Sequence, residues 1–200
     1  MSLETILAFS LFAFVTSITP GPNNLMLLTS GVNFGFRQTL PHIFGISSGF
    51  LFLVLGVGFG LGEIFTRFPL SYQILKWAGA FYLLYLAWNI AQSGPPGDDK
   101  AAGAKPMSFL SAAAFQWVNP KAWVMAVSAI STYAPTATSA LVIVGISVLF
   151  VLVNAPSVSV WVLFGARMRR HLQVRRSLLI FNYSMASLLV LSLYPLFTAA

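Results

Sequence analysis

The sequence predicts an all-α integral membrane protein of six transmembrane helices, arranged as two inverted three-helix repeats with helices 1 and 4 broken at proline motifs. Three observations predict it. Apolar residues make up 58% of the 200 residues and charged ones 8%, where a soluble domain has about 45–50% and about 25%. Mean hydropathy is +0.83, so lipid must supply part of the solvation. The sparse charges collect in short gaps between apolar runs close to the ~20 residues a bilayer span needs. A polar stretch rich in Gly, Pro and charge, from Gln92 to Pro106, divides the runs into two sets of three.

The expected spans are 4–30, 41–62, 70–92, 107–132, 138–165 and 177–198. The first and fifth are long because prolines interrupt them. Residues 1–92 form one three-helix repeat, 93–106 a cytoplasmic linker and 107–200 the second repeat. The N-terminus, Met1-Ser2-Leu3-Glu4, lacks the basic segment of a cleavable leader, so the first run is expected to stay. Three spans per half force the second copy to be inverted. A shift of 100 residues lays Pro20 on Pro120 and Gly45-Ile46-Ser47 on Gly145-Ile146-Ser147. Inverted repeats with broken helices at corresponding positions mark transporters.

Eleven Lys and Arg stand against four Asp and Glu, and the pI is about 10.2. A nucleic-acid binder concentrates such charge on a wet surface, but here it sits between spans, so no nucleic-acid partner is expected. Arg37, Lys100, Lys105, Arg167, Arg169, Arg170, Arg175 and Arg176 fall on one side, and Arg67, with Lys76 if it lies outside its span, on the other. The richer side should be cytoplasmic and both termini periplasmic. With no Cys in the chain, disulfide scaffolds and Cys-based metal or redox sites are excluded. No metal and no cofactor is expected.

Span one contains Thr19-Pro20-Gly21-Pro22-Asn23-Asn24 and span four contains Asn119-Pro120-Lys121. A proline inside a helix removes a donor and displaces the carbonyl four residues back, here those of Thr16, Ile18 and Gln116. In lipid such groups are tolerated only against protein or a wet cavity. The restarting helices aim positive N-terminal ends at each other, which suits a carboxylate. Lys121 would hold that carboxylate, the Asn23, Asn24 and Asn119 amides would orient it, and freed carbonyls would accept from an ammonium group. Pro20, Gly21, Pro22 and Pro120 shape the breaks. Asn154, beside Pro156 in span five, is a further candidate, divided between cavity lining and helix packing. Glycines 45, 49, 56, 58, 60 and 62 in span two read as close helix packing.

Gly45-Ile46-Ser47-Ser48-Gly49 matches the serine-hydrolase pattern G-x-S-x-G, but that pattern needs a strand-turn-helix elbow. An intramembrane enzyme is therefore a weak rival. A non-transporting scaffold or assembly protein is another, and predicts that Asn23 and Lys121 tolerate apolar replacement. A channel is a third. No acidic residue lies mid-membrane, which leaves Lys121, Glu63, His42 or a substrate amine to carry a proton if transport is proton-coupled.

These residues also carry a resemblance. Thr19-Pro20-Gly21-Pro22-Asn23-Asn24, Gly35-Phe36-Arg37-Gln38, Lys76-Trp77-Ala78-Gly79-Ala80 and Val118-Asn119-Pro120-Lys121-Ala122 resemble the lysine-exporter/homoserine-threonine-exporter superfamily of bacterial amino-acid exporters over nearly the whole chain. The first of these, with Ala104-Lys105-Pro106, is most similar to the cysteine/O-acetylserine exporter branch. The resemblance implies efflux of a small neutral or basic amino acid, or a related metabolite, across a bacterial inner membrane, driven by the proton gradient. Some relatives carry a membrane-embedded acid in span two or five. Here Gly, Ser and Asn154 stand instead, which counts against a basic substrate. A homodimer is compatible with so small a bundle.

Overall fold

The computed structural model describes residues 1–93, 105–134, 139–172 and 174–194. Most of the expected linker, including Asp98, Asp99 and Lys100, lies outside the described residues, as do 195–198 at the end of the sixth expected span. The described residues form nine α-helices and a π-helical turn.

The first expected span is two helices, α1 (Leu3–Ile18) and α2 (Pro22–Phe34), bent by 58° across the residues between them. Ser2 caps α1 by accepting from the Thr5 amide at 3.2 Å. Pro22 opens α2 at a position where no amide hydrogen is needed. Helix α3 (Phe36–Gly56) starts five residues before the expected boundary and runs through Pro41 into the π turn Val57–Leu61. There Gly60 takes a φ of +103°, which a residue without Cβ adopts readily. A short α4 (Glu63–Arg67) leads into α5 (Pro69–Ala91), close to the expected 70–92.

In the second half the expected span four is again two helices, α6 (Phe109–Val118) and α7 (Pro120–Tyr133), separated by Asn119 alone. Helix α8 (Ala140–Met168) runs unbroken through Pro156, which corrects the expectation of an interrupted fifth span. Helix α9 (Arg175–Leu191) closes the described chain. By length and apolarity α3, α5 and α8 each suffice to cross a membrane, and α1 with α2 makes a fourth span if the bent pair counts as one.

On α5 the large side chains Leu70, Ile74, Trp77, Phe81, Leu84 and Trp88 recur every three or four residues and are 43–70% exposed. In water such a stripe would be costly; against acyl chains it is the ordinary outer face of a span.

Two cores flank the middle of the bundle. In one, Phe150 meets Phe50 edge-on at 4.8 Å and Phe9 at 5.4 Å, joining α1, α3 and α8. In the other, Leu25, Leu83, Phe115 and Leu189 join α2, α5, α6 and α9. Among the described residues backbones come close at three crossings, one of them Gly79 of α5 against the Val118 carbonyl of α6. Gly165 of α8 lies against the Leu28 carbonyl of α2, and Gly45 and Gly49 of α3 against the Phe109 and Ala113 carbonyls of α6. The packing role expected of the span-two glycines is thus seen at Gly45 and Gly49, as the small-residue rule for membrane helices anticipates. The G-x-S-x-G pattern lies wholly within α3, so it forms no nucleophile elbow.

Candidate functional site

The two helix breaks meet. A Cβ built on Gly21 would lie 2.7 Å from Lys121 Cδ and 3.1 Å from its Nζ. The absence of a side chain at Gly21 therefore admits the lysine. Lys121 Nζ donates to the Thr19 carbonyl at 2.6 Å, to Thr19 Oγ1 at 3.1 Å and to the Pro20 carbonyl at 3.3 Å. The ammonium of the second break thus ties down the exposed backbone of the first.

A second bond joins the breaks. Asn23 Nδ2 donates to Gln116 Oε1 at 2.8 Å, and Gln116 Nε2 donates back to Asn23 Oδ1 at 3.2 Å. Gln116 is fully buried and also donates to the Ala112 carbonyl. Its side chain was not among the expected site residues. The signal was a lone amide inside the apolar run before Pro120, since polar groups within membrane spans are costly unless partnered.

The other predicted amides shape the breaks. Asn24 Nδ2 donates to the Ser17 and Thr19 carbonyls at 2.9 and 2.7 Å, capping the end of α1. Asn119 Oδ1 accepts from the Lys121 amide at 3.2 Å, as an N-cap asparagine does. Asn154 reaches across from α8, donating from Nδ2 to Ser17 Oγ at 2.9 Å. Its Oδ1 is buried with no partner among the described residues.

The carbonyls expected to be free have partners. Thr16 O accepts from Thr19 Oγ1 at 3.0 Å, Ile18 O from the Trp161 indole at 3.1 Å and Gln116 O from the Asn119 amide at 3.4 Å. The displaced backbone is satisfied by the chain itself, because an unmade bond in so dry a place costs about 1–3 kcal/mol. The acceptors left for a ligand are the Pro20 carbonyl, held by the Lys121 ammonium, the Thr19 carbonyl, shared by that ammonium and Asn24, and Asn154 Oδ1.

Lys121, Asn23, Asn24, Asn119, Asn154 and Gln116 border a cavity of about 20 Å³. That is near the least space a single water needs, roughly 10–15 Å³, and too small for an amino acid. A larger cavity of about 280 Å³ lies further along α2, bordered by Met26, Thr29, Ser30 and Asn33 of α2, His42 of α3, Tyr82, Tyr85 and Asn89 of α5, and Lys105, Ser108 and Ser111 at the start of α6. None of the expected substrate-binding residues borders it; His42, expected only as a candidate proton carrier, does. Among the described residues no cluster of His, Cys, Asp or Glu could hold a metal ion.

The LysE type translocator family matches residues 14–193. The chain belongs to that family. It is 38% identical over 174 residues to the cysteine/O-acetylserine efflux protein of Escherichia coli, a match covering 85% of this chain and 87% of that protein. The Shigella sonnei protein of the same description matches to the same extent. The Shigella flexneri one is 39% identical over 167 residues, covering 82% of this chain and 83% of its own. No solved structure matches the chain. As a LysE type translocator the protein is a transporter and not an enzyme, and its exposed apolar helices place it in a membrane.

Proposed function

We propose that this translocator exports a small neutral amino acid or derivative, of the cysteine/O-acetylserine kind, across the bacterial inner membrane by alternating access coupled to the proton gradient. The family match and the efflux activity named for its relatives support the direction and the substrate class. The observation that carries the site is the bond from Lys121 Nζ to Thr19 O, between residues 102 apart in sequence. It joins a cation to the broken backbone of the other half, beside the Asn154 Oδ1 acceptor.

In this reading the substrate carboxylate competes for Lys121, drawing the ammonium off Thr19 and Pro20. The carbonyls so released and Asn154 Oδ1 accept from the substrate ammonium. Asn23 exchanges its bond with Gln116 for one to the carboxylate, while Asn24 and Asn119 hold the two breaks in shape. A cavity of about 20 Å³ means that binding must accompany an opening of the helices.

Alternating access rests on the two-repeat reading. Its support is reciprocal packing: α3 of the first half against α6 of the second, α8 of the second against α1 and α2 of the first, and α5 against α9. The local start of each half recurs as well, with Ser2 capping towards Thr5 and Ser108 towards Ser111. Helices α2 and α7 both begin on a proline, so the equivalent residues are Pro22 and Pro120, and not Pro20 and Pro120. A homodimer belongs to the same proposal on the smallness of the bundle. A single-chain mass by light scattering in detergent overturns that part.

The test is efflux from preloaded bacteria. Cells expressing the protein should lose labelled O-acetylserine or cysteine faster than vector controls, and a protonophore should abolish the difference. Lys121→Met should remove export while the protein still inserts. Normal export by a well-expressed Lys121→Met protein overturns the site.

A further inference from the structure

Taking the exporter reading as its basis, we propose that the larger cavity, bordered by His42 and by the Lys105–Ser111 segment, is a separate loading site for the small neutral amino acid. At about 280 Å³ it approaches the lower end of small-molecule sites, roughly 300–1,000 Å³. Phe34 borders it, and the next residue, Gly35, lies against the Arg169 guanidinium. The cavity therefore opens at the arginine-bearing end of the bundle, the cytoplasmic end by the positive-inside rule.

His42 is 2% exposed, borders the cavity, and neither ring nitrogen has a partner among the described residues. Its polar neighbours on α2 are already engaged: Thr29 donates to the Leu25 carbonyl, Ser30 pairs with Thr39, and Asn33 bonds the Thr29 carbonyl and Asn182. A neutral imidazole offers one donor and one acceptor. Both nitrogens are covered as the structure stands, so a molecule in the cavity meets them when the ring turns towards it, the acceptor then taking an ammonium and the donor a side-chain oxygen or sulfur. Lys105 and the start of the 10-residue α6, capped by Ser108, also border the cavity and provide positive charge for a carboxylate. No Asp or Glu is among the described residues bordering the cavity, so a cationic side chain would find no counter-charge there.

The place in the fold fits loading. Met26 borders the larger cavity and Asn23 the smaller, three residues apart on α2 or about 5 Å at 1.5 Å per residue. The Asn23–Gln116 amide pair borders the smaller cavity at that end of α2, a barrier that a substrate moving from one cavity to the other would part.

The absence of native cysteine gives a direct test. Purified full-length Ser111→Cys protein in detergent is labelled with a water-soluble maleimide, with and without O-acetyl-L-serine, which has no thiol to consume the reagent. Saturating O-acetylserine should slow labelling about tenfold, and the same concentration of lysine should not. A Ser2→Cys control at the far end should label at one rate throughout. Adding His42→Ala should raise the O-acetylserine concentration needed for protection about tenfold, the size of a lost hydrogen bond of about 1.4 kcal/mol. Labelling unchanged by O-acetylserine, in a Ser111→Cys protein that still exports it from cells, overturns the loading site and leaves the exporter reading standing. A wild-type protein that exports nothing overturns both.

Discussion

Lys121 is at once a strap and a candidate ligand group, and the two roles make different demands. As a strap it makes three bonds to the first break, and hydrogen bonds to a charged group contribute about 1.5–3 kcal/mol each at most. Lys121→Met should therefore lower the melting temperature as well as export. Gln116→Leu separates the roles, because it keeps the ammonium and removes the reciprocal amide pair together with the bond to the Ala112 carbonyl. It should leave Asn23 unpaired, lower the melting temperature in detergent and reduce efflux. Asn23→Leu combined with Gln116→Leu should cost less than the sum of the single changes, by about 0.5–3 kcal/mol for directly coupled residues. Strict additivity in thermal melts would mean that the pair does not couple the breaks.

At the scale of elements, the bundle depends on close crossings more than on side-chain volume. A Cβ at Gly165 meets the backbone of Leu28, which cannot swing aside as a side chain can. Gly165→Leu should thus destabilise the protein by about 1–3 kcal/mol, the usual cost of overpacking. Gly145 has nothing within 4 Å of the same built atom, so Gly145→Ala should change stability by no more than about 0.5 kcal/mol. Melts of the two variants in one detergent give the comparison, and equal losses would contradict the crossing geometry. The proline breaks differ in the same physical way. Pro22 and Pro120 start helices, where a missing amide hydrogen costs nothing. Pro156 sits within the 29 residues of α8, which continues through it and packs against α2.

For the whole molecule, the proposed orientation predicts where each end can be reached. In intact cells a membrane-impermeant maleimide should label Ser2→Cys, and should label Lys105→Cys only once the membrane is made leaky. The reverse pattern would turn the protein over, and with it the assignment of the larger cavity to the cytoplasmic side. The two cavities also differ in the motion they need. The larger can take a small molecule as it stands, whereas the smaller must expand from about 20 Å³ by movement of the packed helices around it. Substrate entry should therefore be faster than release, and O-acetylserine bound in detergent should be exchangeable even in a Lys121→Met protein that no longer exports.

What the sequence determined by itself was set by composition and by local backbone chemistry. With 8% charged residues only lipid can solvate the outer surface, and prolines beside asparagines must disrupt the helices that contain them. The all-helical class, the two breaks and the membership suggested by Pro-Gly-Pro-Asn and Asn-Pro-Lys were legible for that reason. Pairing across the fold was not. Nothing in the one-dimensional string says that Gln116 meets Asn23 93 residues away, that the Trp161 indole takes the carbonyl of Ile18, or that α8 continues unbroken through Pro156. Nor could the string reveal that the space beside Lys121 is nearly closed, or that a larger one lies beside His42. Those outcomes depend on which helix faces pack together, because a buried polar group finds whichever partner the crossing brings within about 3 Å.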